Sequence, residues 1–239
     1  MKNPDLDRLI SSEFDLPYAG LPSKALIIAT TPRTGSNLLC SELWRRGRVG
    51  APWEYFNRSF VVPQLSRRLG CRTRPTYIAS LIKQRTGRNG VFSVKLFYED
   101  FQFYRDDLLR YLVGAKIYYV HLVRNSLDDQ VNSFIRARRT QMWASTGDQA
   151  SPVNIDRSLD SPVERYHVAK GLLEQHTKWL SHFERSDVKP MTIVYERMKF
   201  PIDLERIESL LGVQQDEGAP VETPRLLKQT AGSSNVFAK

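Results

Sequence analysis

The stretch from Ala25 to Leu39 constrains the fold more than any other part of the chain. An apolar run, Ala25 to Ala29, passes through a short polar loop into a helical pattern. Strand, tight loop and helix in that order belong to α/β architecture and build an anion site. The first backbone N–H groups of such a helix have no partner within it, and the positive end of its dipole points the same way. Gly35 lets the backbone come close to an anion, Ser36 and Asn37 cap or donate, and Arg33 supplies planar charged donors suited to phosphate or sulfate oxygens. The loop is not the ATP-binding motif G-x-x-x-x-G-K-[ST]: Ser36 follows Gly35 in place of lysine, and no glycine precedes it at the required spacing.

Three further runs read as strands: Val91–Leu96, Lys116–Val123 and Met191–Tyr195. All are short, rich in Ile, Val and Tyr, and not strictly alternating, as buried parallel strands are. Helical patterns separate them. Pro75 fits the first turn of a helix that Gly87 ends, and Ser126-x-x-Asp129 reads as an N-cap before the stripe Leu127, Val131, Phe134, Ile135. Ser161-Pro-Val-Glu164 reads as a capping box opening a long helix, and a last helix runs from about Asp203 to Leu211, closed by Gly212. The predicted fold is a three-layer α/β/α sandwich with a mainly parallel central sheet, one domain over residues 1–239. Residues 1–23 are read as an N-terminal extension and 143–160 as a lid or a disordered loop. In such sheets ligands sit beyond the carboxyl ends of the strands, where the loop after Ala29, the segment around Trp53 and the residues after Val123 would meet.

Composition narrows the function. Two cysteines among 239 residues are too few for a disulfide scaffold, which points to a reducing cytoplasm, and no apolar stretch has the length of a signal peptide core or a membrane span. The four histidines have no metal spacing, so no metal is expected; His121, just before Arg124, is the second candidate for a base. A net charge of +9 suits an anionic ligand, a nucleic acid or an anionic membrane surface. Its clusters, Arg67, Arg68, Arg72 and Arg74, and Arg136, Arg138 and Arg139, lie in helical patterns and not in one tail, and no nucleic-acid-binding signature is present.

Taken in order, these segments resemble a family. Thr31-Pro-Arg-Thr-Gly-Ser-Asn-Leu-Leu39 resembles the 5′-phosphosulfate loop of sulfotransferases that use 3′-phosphoadenosine 5′-phosphosulfate (PAPS). Gly50-Ala-Pro-Trp-Glu-Tyr-Phe56 resembles the base-bearing segment of bacterial trehalose 2-sulfotransferases and related lipopolysaccharide-type sulfotransferases. His121-Leu-Val-Arg-Asn-Ser-Leu-Asp-Asp-Gln-Val-Asn-Ser133 is similar to their 3′-phosphate site, and Val94-Lys-Leu96 and Pro224-Arg-Leu-Leu-Lys-Gln229 match weaker family segments.

The resemblance implies a P-loop-like sulfotransferase fold and a PAPS-dependent reaction that leaves 3′,5′-bisphosphoadenosine. Glu54 is then the general base, placed among apolar residues, and Arg33 neutralises charge on the bridging oxygen as the S–O bond breaks. Thr34, Gly35, Ser36, Asn37 and Leu38 would donate to the 5′-phosphate, Arg124 and Ser133 would hold the 3′-phosphate, and Lys228 would touch the nucleotide. Trp53, Tyr55, Phe56 and Lys95 would face the acceptor. Ala51 and Trp53 stand where the trehalose enzymes carry polar side chains, which argues against trehalose itself. The expected acceptor is a carbohydrate or glycolipid hydroxyl, with an aromatic or lipid hydroxyl as the alternative. A P-loop-type phosphotransferase and a non-enzymatic basic anion-binding module are the rivals from other classes. As partners the reading expects a small-molecule or glycolipid acceptor and no nucleic acid, and it leaves open peripheral membrane contact through the basic patches and a homodimer.

Overall fold

The computed structural model describes residues 4–16, 20–143 and 161–213. Four strands, β1 (Lys24–Thr30), β2 (Val91–Phe97), β3 (Lys116–Val123) and β4 (Met191–Val194), lie in the order β2-β1-β3-β4, and each neighbouring pair is parallel. The register sets Ile28 beside Lys95 and Val120, and Ala29 beside Leu96 and His121. Alternate residues of a strand project to opposite faces, so Lys95 and His121 stand on different sides of the sheet. Both sides are covered, which is why β1 is an unbroken apolar run: Ala25 to Thr30 are all buried.

The helices are α1 (Pro4–Ile10), α2 (Ser36–Arg46), α3 (Val61–Arg68), α4 (Arg74–Arg85), α5 (Tyr98–Tyr111), α6 (Leu127–Thr140), α7 (Pro162–Arg185) and α8 (Ile202–Leu211). α7 covers the His121 face: Phe183 packs on Tyr119 and His121 at 5.7 and 5.1 Å between ring centres, and Trp179 reaches Phe101 of α5 at 4.8 Å. α2 covers the opposite face and is tied to α8 by an ion pair of 2.6 Å between Arg46 and buried Glu208. The result is the predicted three-layer α/β arrangement.

Several local expectations change. Tyr195 does not end β4 but opens a single 3-10 turn, Tyr195–Arg197. α4 stops at Arg85 because Thr86 turns extended and forms an isolated antiparallel bridge with Phe92. Ser161 occupies the N-cap of α7 with Pro162 next to it, but its side chain makes no capping bond; Glu164 pairs instead with Arg138 and Arg139 of α6. The described part of the N-terminal segment is built into the core. Phe14 lies 5.0 Å from Trp44 and 5.2 Å from Trp53, and Asp15 binds Arg68 at 2.7 Å and the buried Arg85. Of the segment 143–160, all but Trp143 lies outside the described residues, as does Lys228. Among the described residues no helix is long and apolar enough to cross a membrane.

Candidate active site

Parallel pairing brings all four carboxyl ends to one edge. The loop carrying Arg33 leaves β1 there, Arg124 follows β3, Tyr195 follows β4, and Lys95 lies near the end of β2. The loop is fixed from within. Thr30 donates its hydroxyl to Leu122 O at 2.9 Å and lies 2.5 Å from the Thr34 hydroxyl, and Trp179 Nε1 donates to Thr30 O at 3.0 Å. Gln130 Nε2 donates to Thr31 Oγ1 at 2.8 Å and to Pro32 O at 2.6 Å. Thr34 is therefore turned inward and fully buried, its hydroxyl engaged with Thr30 and with Thr31 O.

α2 begins at Ser36 with Gly35 as its N-cap in the left-handed region, φ 79°, and no side chain caps it. The first amides of α2, those of Ser36, Asn37 and Leu38, are left facing out of the helix end, as an anion requires. Gly35 also answers to a constraint the sequence did not show. A Cβ there would stand 2.3 Å from Tyr195 Cδ2, so the glycine makes room for an aromatic ring.

Beside this helix end stand two arginines, near enough for the charge of Arg124 to act on Arg33. Arg33 holds a left-handed φ of 69°, donates from Nε to Ser133 Oγ at 2.9 Å and from Nη1 to Trp143 O at 2.5 Å. Arg124 donates to Arg33 O at 3.2 Å and lies 4.8 Å above the Tyr195 ring. Burial, and then the neighbouring Arg124, pull the Arg33 guanidinium down to about 10 from its ordinary value. The Nε of Arg124 is buried without a hydrogen-bond partner, and two carboxylates stand just beyond bonding reach: Glu196 Oε1 lies 3.8 Å from that Nε and Asp129 Oδ2 lies 3.9 Å from Nη2. Two neighbouring cations, one with a buried donor that makes no hydrogen bond, suit an anionic ligand. Ser133, expected to work with Arg124, is bonded to Arg33; the three residues do come together, with Arg33 as the link.

Glu54 is partly buried. Its Oε2 lies 2.8 Å from Lys95 Nζ, and its Oε1 accepts from Asn57 Nδ2 at 2.8 Å. Lys95 also donates to Asn37 Oδ1 at 2.7 Å. Lys95 thereby joins the carboxylate to the first turn of α2. The aromatic neighbours of Glu54 do not present the surface expected of them. Trp53, Tyr55 and Phe56 are 7%, 0% and 0% exposed; Trp53 packs on Phe14, Tyr55 under Arg85, and Phe56 on Tyr77 and Tyr104. They belong to the core because β2 and α4 close over this segment: Lys95 N donates to Trp53 O at 3.1 Å and Tyr77 OH to Tyr55 O at 2.6 Å. His121, the second candidate for a base, is buried on the other face, stacked on His176 at 5.3 Å, and burial lowers its pKa to about 4. Among the described residues no group of three or more His, Cys, Asp or Glu is disposed to hold a metal ion.

Four residues of this edge escaped the sequence reading. Tyr195 covers Gly35 and stacks on Arg124. Glu196 accepts from the amides of Asn125 and Ser126, both at 3.1 Å; against the opposing effect of burial, those bonds hold its carboxyl below the usual range. Gln130 locks the loop, and Asn57 orients Glu54. For Tyr195 and Glu196 a signal existed: the first ends, and the second follows, a strand predicted to be parallel, at its carboxyl end.

No curated protein matches the chain. A crystal structure of a sulfotransferase from Alicyclobacillus acidocaldarius is similar at 16% identity and a TM-score of 0.44, over 86% of this chain and 87% of that chain. The profile of the Stf0 sulphotransferase family matches residues 25–237, which span the anion loop, the Glu54 segment and the Arg124 segment. The chain therefore belongs to the Stf0 sulphotransferase family.

Proposed function

We propose that this sulfotransferase takes the sulfuryl group from PAPS and places it on a hydroxyl of a carbohydrate or glycolipid, with Glu54 as general base. The observation that carries the donor half is the neighbouring pair Arg33 and Arg124 beside the uncapped start of α2. A nucleotide with phosphates at both 5′ and 3′ positions would bring anionic oxygens to both cations and to the uncapped amides together. When bound, PAPS supplies a sulfuryl group already activated by its bond to phosphate. Arg33 and the α2 amides stabilise the negative charge that appears on that phosphate, as oxyanion-type donors do. Arg124 and Ser133 orient the nucleotide, and Glu54 removes the acceptor proton from the far side. With Trp53, Tyr55 and Phe56 inside the core, Glu54 is the side chain of this segment left to meet the acceptor, with buried Lys95 behind it. An aromatic or lipid hydroxyl is the second reading. It is favoured by the exposed Phe60, three residues past Asn57, and by the exposed Phe103, whose ring lies 4.7 Å from the Arg58 guanidinium.

The test combines calorimetry with a sulfation assay using labelled PAPS over sugars, glycolipids, lipids and phenols. We expect 3′,5′-bisphosphoadenosine to bind much more tightly than 5′-AMP. Glu54→Gln should retain nucleotide binding while sulfation falls by ~10²–10⁴. Equal affinity for the two nucleotides removes the 3′-phosphate assignment, and near-normal sulfation by Glu54→Gln removes the base.

A further inference from the structure

Lys95 is a buried ammonium with two partners that belong to opposite halves of the reaction. Its Nζ lies 2.8 Å from Glu54 Oε2 and 2.7 Å from Asn37 Oδ1, and its side chain is 4% exposed. Asn37 sits in the first turn of α2, at the end of the helix that faces the anion. The other side of the carboxylate is equally fixed. Asn57 Oδ1 accepts the backbone N–H groups of Ser59 and Phe60, both at 3.1 Å, which settles the orientation of its amide and directs Nδ2 to Glu54 Oε1. Each oxygen of Glu54 thus has a donor, and in the resting protein the carboxylate is an ion pair.

An ion-paired carboxylate is a poorer proton acceptor than a bare one, because taking the proton breaks the pair. The position of Lys95 removes that obstacle if the ammonium has somewhere else to go. We propose that Lys95 is a catalytic residue shared between base and donor: as Glu54 loses its charge, the ammonium turns to the negative charge forming at the start of α2. The proposal rests on the PAPS reading above. In the step, the acceptor hydroxyl proton passes to Glu54, the acceptor oxygen bonds to sulfur, and the S–O bond to phosphate breaks. The electron pair of that bond remains on the phosphate oxygen. Lys95 keeps all its protons throughout and changes only its partner. Asn37 and Asn57 are positioning residues: one holds the ammonium near the donor, the other holds the carboxylate near the ammonium.

The consequence is a coupling between Glu54 and the nucleotide that can be read without turnover. Two anions compete for one ammonium, so neutralising one must strengthen the hold on the other, and such linkage is reciprocal. The experiment is calorimetry of 3′,5′-bisphosphoadenosine with the purified protein and the variants Glu54→Gln, Lys95→Met and the two combined. Glu54→Gln should bind about 5-fold more tightly or better, Lys95→Met more weakly, and the gain from Glu54→Gln should vanish in the Lys95→Met background. If Lys95→Met fails to fold, Lys95→Gln takes its place, since it keeps a polar head for Asn37. Unchanged or weaker binding by Glu54→Gln overturns the proposal, as does the same gain with Lys95 removed. Failure of the unaltered protein to bind the bisphosphate overturns the donor reading itself, and this proposal with it.

Discussion

Arg33 shows how much of a functional residue is invisible one residue at a time. Its identity and its place in a loop before a helix suggested an anion ligand. Its left-handed backbone, φ 69°, is a conformation that costs a side-chain-bearing residue ~1–3 kcal/mol and persists only where surroundings enforce it. Here Ser133, Trp143 and Arg124, all distant in sequence, do the enforcing. The neighbouring Gly35 is set by Tyr195 in the same way. Gly35→Ala should destabilise the protein by ~1–3 kcal/mol through the left-handed backbone and the clash with the ring. Urea unfolding measures this, and adding Tyr195→Ala should recover part of the loss. If the double variant is no more stable than Gly35→Ala alone, the ring is not what the glycine accommodates. The clash was not legible in the sequence, because Gly35 and Tyr195 meet only when β1 and β4 lie in one sheet.

At the scale of elements, local chemistry was legible wherever it did not compete with a tertiary partner. Ser126 caps α6 as its spacing indicated, accepting from Asp129 N at 3.3 Å. The similar signal at Ser161 was overruled, because Glu164 is drawn to Arg138 and Arg139 across the α6–α7 contact and cannot complete a capping box. The pair gives a clean comparison. Ser126→Ala should cost ~1 kcal/mol, the usual cost of a lost cap, whereas Ser161→Ala should fall within ~0.5 kcal/mol of the parent. Equal losses in chemical denaturation would show that Ser161 caps after all. The aromatic segment after Pro52 failed for the same kind of reason. Trp, Tyr and Phe beside a glutamate look like an acceptor surface, but the same apolar area stabilises a core wherever neighbouring elements can cover it. Phe14 from the N-terminal segment, Tyr77 of α4 and Tyr104 of α5 do cover it.

For the molecule as a whole, the buried histidine on the far face makes stability depend on pH. Folded His121 has a pKa of about 4, from burial and then from His176, while an unfolded histidine titrates near its ordinary value of 6.5. Between those values the unfolded chain binds the extra proton. Stability is therefore complete above about pH 6.5 and declines as pH falls toward about 4, by at most ~3 kcal/mol from this group. His176, also lowered by burial, adds in the same direction. Denaturant melts between pH 7 and pH 4.5 should show the decline, and His121→Gln should flatten it. A variant with the same slope as the parent would place the acid sensitivity elsewhere. The charge of the whole chain is also partly accounted for by the fold: Arg68 and Arg74 of one basic cluster hold Asp15 and Asp107, and Arg138 and Arg139 of the other hold Glu164. What the sequence determined by itself was the four strands, their parallel pairing and the helices α2, α4, α6, α7 and α8, though not α1, α3 or α5, because periodicity, caps and the anion loop act over a few residues. The tertiary structure alone decided which side chains meet at the carboxyl edge of the sheet. It paired Lys95 with Glu54, placed Tyr195 over Gly35, tied Ser133 to Arg33 and turned Trp53, Tyr55 and Phe56 inward. Each of these depends on strands far apart in the chain lying side by side, and on which face of the sheet a residue occupies once its neighbours have claimed the rest.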